Sequence, residues 1–372
     1  MHVGLAPLFQ NLGQPIPDHE VYRSELQLAA MAEPLGFDSV WSVEHHFTDY
    51  TMVPDVTQFL SYMAGRTRRA QLGSMVIVLP WHDPVRVAEE VAMLDNLSGG
   101  RMILGIGRGL GRVEFDGFRV PMDESRERFV ESAQLVLEGL ERGHVELDGR
   151  FIQQPRRDIR PKPFKTFRGR TFAAAVSPES MPVMAALGVG LLVIPQKPWD
   201  AVKEDFEVYH RVWAQHHGDA AAAPAPLCGG FYFVDESADR AEELAYRYIG
   251  RYYHSVMEHY EMTAGHLQHT KGYEFYSRVH EHIGKRTADG AAADFVRLMP
   301  WGTPNQVIEK LENIQRTVGA QGTMCHFAYG GMDYGEAERN LRLFVEKVMP
   351  EVKALGERSE VIGENLDQRR PR

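Results

Sequence analysis

Short apolar runs alternate along the chain with longer stretches in which apolar residues recur at helical spacing. Eight such runs read as strands, at residues 2–9, 39–43, 71–78, 102–106, 171–175, 190–194, 227–234 and 323–328. Between them, Val21, Leu26, Leu28 and Met31 precede Gly36, Val85, Val87, Val91 and Leu94 precede Gly99, and Phe129, Ala133, Val136 and Leu140 precede Gly143. Each helical pattern stops at a glycine near the next strand, as helix C-termini do. Repeated strand-then-helix units imply parallel strands joined by crossovers, and eight of them predict an α/β fold closed as a (β/α)8 TIM barrel.

Two interruptions break the rhythm. Residues 144–153 read as a hairpin, with Asp148-Gly149 as the turn between 145–147 and 150–152, so an insertion of about 144–165 precedes the fifth strand. The segment 262–294 is polar and rich in His, Lys, Gly and Tyr, too long for an ordinary connection and expected to act as a lid. Residues 220–226 form a low-complexity loop. One domain is expected over 1–356, followed by a charged, disordered tail over 357–372.

Composition narrows the function without naming it. The 372 residues are 44% hydrophobic and 25% charged, with a formal net charge of −10 and a pI near 5.9. That balance favours neither nucleic acid nor an anionic membrane, leaving a small molecule as the expected partner. Two cysteines, Cys228 and Cys325, support neither a disulfide framework nor a cysteine zinc site, which suits a reducing, cytoplasmic setting. No basic-then-apolar leader opens the chain, and no run approaches the roughly 20 apolar residues of a membrane span.

Barrel enzymes carry their chemistry at the carboxyl ends of the strands, so the residues after each run are the candidates. Glu44, His45 and His46 follow the second run. Adjacent residues on a strand point to opposite faces, and no HxH or HExxH pattern completes a ligand set, so no metal is assigned. After the fourth run, Arg108 stands between Gly107 and Gly109, where small neighbours let a phosphate approach its planar donors. After the fifth, Ser177 and Ser180 open a helix, a setting that favours an anion.

The run Gly36-Phe37-Asp38-Ser39-Val40-Trp41-Ser42-Val43-Glu44-His45-His46-Phe47-Thr48-Asp49 resembles the second strand of the luciferase-like monooxygenases, especially the bacterial luciferase alpha subunit. Collinear matches follow in His82-Asp83-Pro84-Val85-Arg86, Ser98-Gly99-Gly100-Arg101, Gly105-Ile106-Gly107-Arg108-Gly109-Leu110, Ser125-Arg126, Thr270-Lys271-Gly272-Tyr273-Glu274-Phe275 and Gly302-Thr303-Pro304. The resemblance covers residues 1 to about 350 and implies a two-component flavin-dependent monooxygenase. Reduced FMN from a separate flavin reductase would activate O2 through a C4a-(hydro)peroxyflavin and oxygenate a small organic substrate by hydroxylation, Baeyer–Villiger or aldehyde oxidation.

On that resemblance His45 is the catalytic or substrate-facing histidine and Glu44 lies close to the flavin. Met75 and Val76 support the isoalloxazine ring through a cis peptide, Gly107, Arg108 and Leu110 flank the cofactor, and Val176, Ser177 and Ser180 bind its phosphate. Lys271, Tyr273 and Phe275 belong to the lid. Gly107 stands where luciferase alpha subunits carry a cysteine, which implies extra room above the ring and argues against a simple luciferase. A homodimer through the helices after the second and third strands is expected. The superfamily leaves two alternatives, a coenzyme F420-dependent oxidoreductase and a non-catalytic partner subunit of the luciferase-beta kind.

Overall fold

The computed structural model describes residues 1–175, 177–273, 275, 288–356 and 362–363. Eight parallel strands close a barrel, β1 (His2–Leu5), β2 (Ser39–Ser42), β3 (Gln71–Ser74) with its continuation β4 (Ile77–Val78), β5 (Met102–Gly107), β8 (Thr171–Ala174), β9 (Gly190–Val193), β10 (Leu227–Phe231) and β13 (Gly322–His326). Each lies within one of the predicted apolar runs or within one residue of it. β1 pairs with both β2 and β13, and the third strand reaches β5 through Leu72 opposite Met102 and Ile77 opposite Ile106, which completes the ring. Between the β3 and β4 segments the Met75–Val76 peptide is cis. One short parallel pair, β11 (Phe233–Val234) with β12 (Trp301–Gly302), lies outside the ring.

The helices that cover the barrel include α1 (Asp18–Ala30), α2 (Val56–Arg66), α3 (Pro84–Ser98), α4 (Arg112–Phe118), α5 (Ser125–Arg142), α6 (Met181–Leu187), α7 (Trp199–His217) and α8 (Ala238–His259). The limits of α3 show how local sequence sets them. Asp83 accepts hydrogen bonds from the backbone N–H groups of Val85 and Arg86, Pro84 occupies the first turn, and Gly99 ends the helix at φ 67°. Inside the barrel, fully buried Trp41 takes the space that side chains on two neighbouring strands would need. A Cβ at Gly4 would come within 2.5 Å of its ring and one at Gly73 within 2.3 Å.

Two expectations need correction. The hairpin pairs β6 (His144–Asp148) with β7 (Gln153–Asp158), so 150–152 belong to the loop and not to the return strand. Glu131 on α5 explains the shift: its carboxylate accepts the N–H groups of Arg150, Phe151 and Ile152 at 2.9–3.0 Å, removing them from any ladder. Within the expected disordered tail, Ile362 is 1% exposed, and its backbone exchanges two hydrogen bonds with the Gln71 amide. An apolar side chain at the foot of the barrel gains more from burial than from solvent.

Candidate active site

A cavity of about 280 Å3 opens at the carboxyl ends of the barrel strands. Glu44, His45, Met75, Val76, Gly107, Arg108, Leu110, Ser177 and Ser180 all line it, so every expected catalytic or cofactor residue within the described chain meets there. Val176 lies outside the described residues.

His45 and His46 follow β2 and diverge, as alternation requires. His45 donates from Nδ1 to Glu114 Oε1 at 3.0 Å, whereas His46 donates from Nε2 to Glu44 Oε1 at 3.1 Å. Glu114 lies on α4, and the sequence reading missed it. Its side chain is 1% exposed, it also accepts the His46 N–H at 3.0 Å, and His259 Nε2 stands 3.5 Å away. Burial raises the pKa of this carboxyl, but the charges and hydrogen bonds of His45 and His259 outweigh it and hold the group down to about 2. A carboxylate fixed on Nδ1 sets the His45 tautomer and leaves Nε2 as the nitrogen that exchanges protons. His45, Glu114 and His259 are also the one group among the described residues whose potential metal-ligand atoms gather within 4.8 Å. The motif-based expectation weighed only Glu44, His45 and His46.

Glu44 holds a second set. His82 Nε2 donates to Oε1 at 2.7 Å and the Val78 N–H donates to Oε2 at 2.8 Å. Burial raises the Glu44 pKa, yet the two histidine hydrogen bonds, the His82 charge and that N–H bring it below its ordinary value. The carboxylate is therefore kept ionised in an apolar wall.

The same cavity is also lined by a cationic cradle. Arg108 and Arg126 both donate to the Gly272 carbonyl, at 2.6 and 3.0 Å, and the Ser177 and Ser180 hydroxyls are 2.8 Å apart. Ser177 stands at the start of a short 3-10 turn, Pro178–Ser180, that leads into α6. Arg126 was legible only as part of the Ser125-Arg126 motif and had no assigned role. Two guanidinium groups and two hydroxyls suit a phosphoryl group.

The expected lid residues Lys271, Tyr273 and Phe275 do not line the cavity. Lys271 is turned outward to Glu127 at 2.8 Å, and its backbone N–H meets Asp123. Tyr273 is buried under Arg108, whose guanidinium lies 3.9 Å from the ring centroid, and its hydroxyl donates to the Gly109 carbonyl at 2.9 Å. Phe275 is half-buried, and Glu274 lies outside the described residues.

The room expected at Gly107 is not there. A Cβ on that residue would lie 2.3 Å from Val76 Cγ2, so the valine side chain fills the place a cysteine would take. The remaining walls are mainly apolar, with Leu8, Val43, Leu192, Ile194, Val256 and Phe295, and Tyr50 and Tyr252 joined through their hydroxyls at 2.7 Å. His326 is buried there too, stacked on Phe231, and burial lowers its pKa to about 4, which keeps it neutral.

The profile of the family described as luciferase-like monooxygenase matches residues 1–321. The chain belongs to that family. Among its relatives, the alkanal monooxygenase alpha chain of Aliivibrio fischeri is 27% identical over 325 residues, spanning 86% of this chain and 90% of that one. The corresponding chain of Photorhabdus luminescens is 27% identical over 338 residues, 90% of this chain and 93% of the other. The monooxygenase RslO1 from Streptomyces bottropensis superposes with a TM-score of 0.74 at 25% identity, covering 94% and 99% of the two chains. The family fold is shared more widely. The oxygenating constituent of a Pseudomonas putida 3,6-diketocamphane monooxygenase, solved with FMN, gives a TM-score of 0.71 at 18% identity, covering 94% and 98%. An F420-dependent secondary alcohol dehydrogenase gives 0.69 at 16%, with the same coverage.

Proposed function

We propose that this family member is an FMN-dependent monooxygenase, taking reduced FMN from a separate flavin reductase and using O2 to oxygenate a small, largely apolar organic substrate. The observation that carries the reading is one cavity lined both by an anion cradle and by a carboxylate-held histidine. Arg108, Arg126, Ser177 and Ser180 would hold the phosphate. Met75, Val76 and Gly107 form the wall against which the ring system would lie. When bound, the reduced flavin supplies the activation of oxygen.

The protein supplies position, dryness and proton control. His45, fixed by Glu114, exchanges a proton at Nε2 with the reacting groups. The tyrosines and aliphatic walls exclude water and admit an apolar substrate. Related activities carried by this fold include F420 dependence, so the decisive experiment is anaerobic titration with reduced FMN and with reduced F420. Tight binding of reduced FMN, weakened in an Arg108→Ala variant, is expected; preference for reduced F420 would replace this reading.

We further infer that the protein is a homodimer. Tyr62 on α2 and Met93 and Leu97 on α3, two helices packed against each other, are 46%, 54% and 57% exposed, large apolar side chains of the kind an interface would cover. Sedimentation of the purified protein would give twice the 42.1 kDa chain mass; a monomer would dismiss it.

A further inference from the structure

Glu44 faces two ways. Its side chain is 1% exposed and lines the active-site cavity, but its Oε1 accepts a 2.7 Å hydrogen bond from His82, whose side chain is 31% exposed. His82 in turn lines a second cleft, of about 310 Å3, bounded by the start of α3, by Arg128 and Ser132 of α5 and by the hairpin loop at Phe151 and Ile152. A single hydrogen bond thus separates that outer cleft from the cavity wall. Nothing in the proposed cofactor or substrate contacts uses His82.

Oxygenation by an anionic reduced flavin takes up one proton for each oxygen atom inserted and each water formed. The cavity must shed bulk water for that chemistry, so protons need a path that does not admit solvent. We propose that His82 and Glu44 form this path, carrying protons from the outer cleft to the active-site cavity. The inference rests on the oxygenase reading. His82 takes a proton from solvent at Nδ1 and gives its Nε2 proton to the Glu44 carboxylate, the resulting Glu44 carboxyl passes that proton to an acceptor in the cavity, and His82 returns to its Nε2-protonated form by exchange with solvent; no electrons move.

The charges around His82 suit the task. Glu44 faces it directly, and Glu90 of α3 and Asp55 at the start of α2 lie close enough to raise its pKa against the lowering effect of burial. Asp83 and Arg128 also border the cleft. His46 provides an internal reporter, because its Nε2–H sits on the same Glu44 oxygen as His82.

The test compares wild type with His82→Gln, which keeps a donor to Glu44 but cannot relay, and with His82→Ala, which opens the cleft to added imidazole. Nitrogen-edited NMR would follow solvent exchange of the His46 Nε2–H, and turnover would be measured with reduced FMN and O2. The route predicts exchange slowed about tenfold or more in His82→Gln, and His82→Ala turnover restored by imidazole. Unchanged exchange, or a loss of turnover that imidazole does not restore, would overturn it. A wild type that oxygenates nothing removes the oxygenase reading alone, since exchange still decides the route.

Discussion

Glu44 and Glu114 stand at the mouth of the same barrel, each with a side chain 1% exposed and each accepting hydrogen bonds from histidines. Their surroundings differ in direction. Glu114 gathers His45 and His259 against the cavity, with His259 held from behind by Thr48 Oγ1 at 2.9 Å, so that group is enclosed. Glu44 gathers His46 and His82, and His82 leads outward to a cleft. One motif, Glu44-His45-His46, thus feeds two carboxylate centres because neighbouring side chains leave a strand on opposite sides. The inner centre handles protons at the reacting atoms in this account, and the outer one connects them to solvent.

The largest expected effect separates the centres directly. His45→Ala should cut oxygenated product by about a thousandfold while the protein stays folded, and Glu114→Gln should cost about a hundredfold by releasing the His45 ring. Equal losses in His45→Ala and His46→Ala, measured by product yield per reduced FMN, would erase the distinction. Next comes the cationic cradle. Arg126→Ala should weaken FMN binding about thirtyfold, or ~2 kcal/mol, by loss of a charge-assisted contact, as read by equilibrium titration.

A packing effect of similar or smaller size tests the surface between the centres and the cradle. Gly107→Cys should destabilise the fold by about 1–3 kcal/mol through collision with Val76, and Val76→Ala in the same chain should recover most of it. Denaturant midpoints of both variants check this. The last effect is a pH dependence. Glu114 has a folded pKa of about 2 against 4.5 ordinarily, so the stability it contributes is present above about pH 4.5 and is lost as the pH falls toward 2. Glu114→Gln should flatten that part of the acid-unfolding profile relative to wild type.

Much of this was legible in the sequence, for identifiable reasons. Buried parallel strands read as near-continuous apolar runs, so the barrel followed from eight of them. Residues tied to strand ends, such as His45 and Arg108, stood out because the barrel places chemistry there, whereas the phosphate reading of Ser177 came from the family resemblance. Glu114 and His259 were not, since they lie on helices 69 and 214 residues from His45 in sequence, where an acid and a terminal histidine look like ordinary helix residues. Arg126 had the same disguise on α5. The hairpin register and the burial of Ile362 were set by single distant partners, Glu131 and Gln71, which no local pattern reveals.

The central claim is that this cavity directs oxygen from O2 into an organic molecule. The direct measurement mixes the protein with reduced FMN and 18O2 in the presence of a panel of aldehydes, ketones and aromatic compounds, and weighs the products. One 18O atom in a product, lost in His45→Ala but with reduced FMN still bound, is the predicted result. Failure to bind reduced FMN, or release of all the consumed oxygen as hydrogen peroxide across the panel, would contradict it.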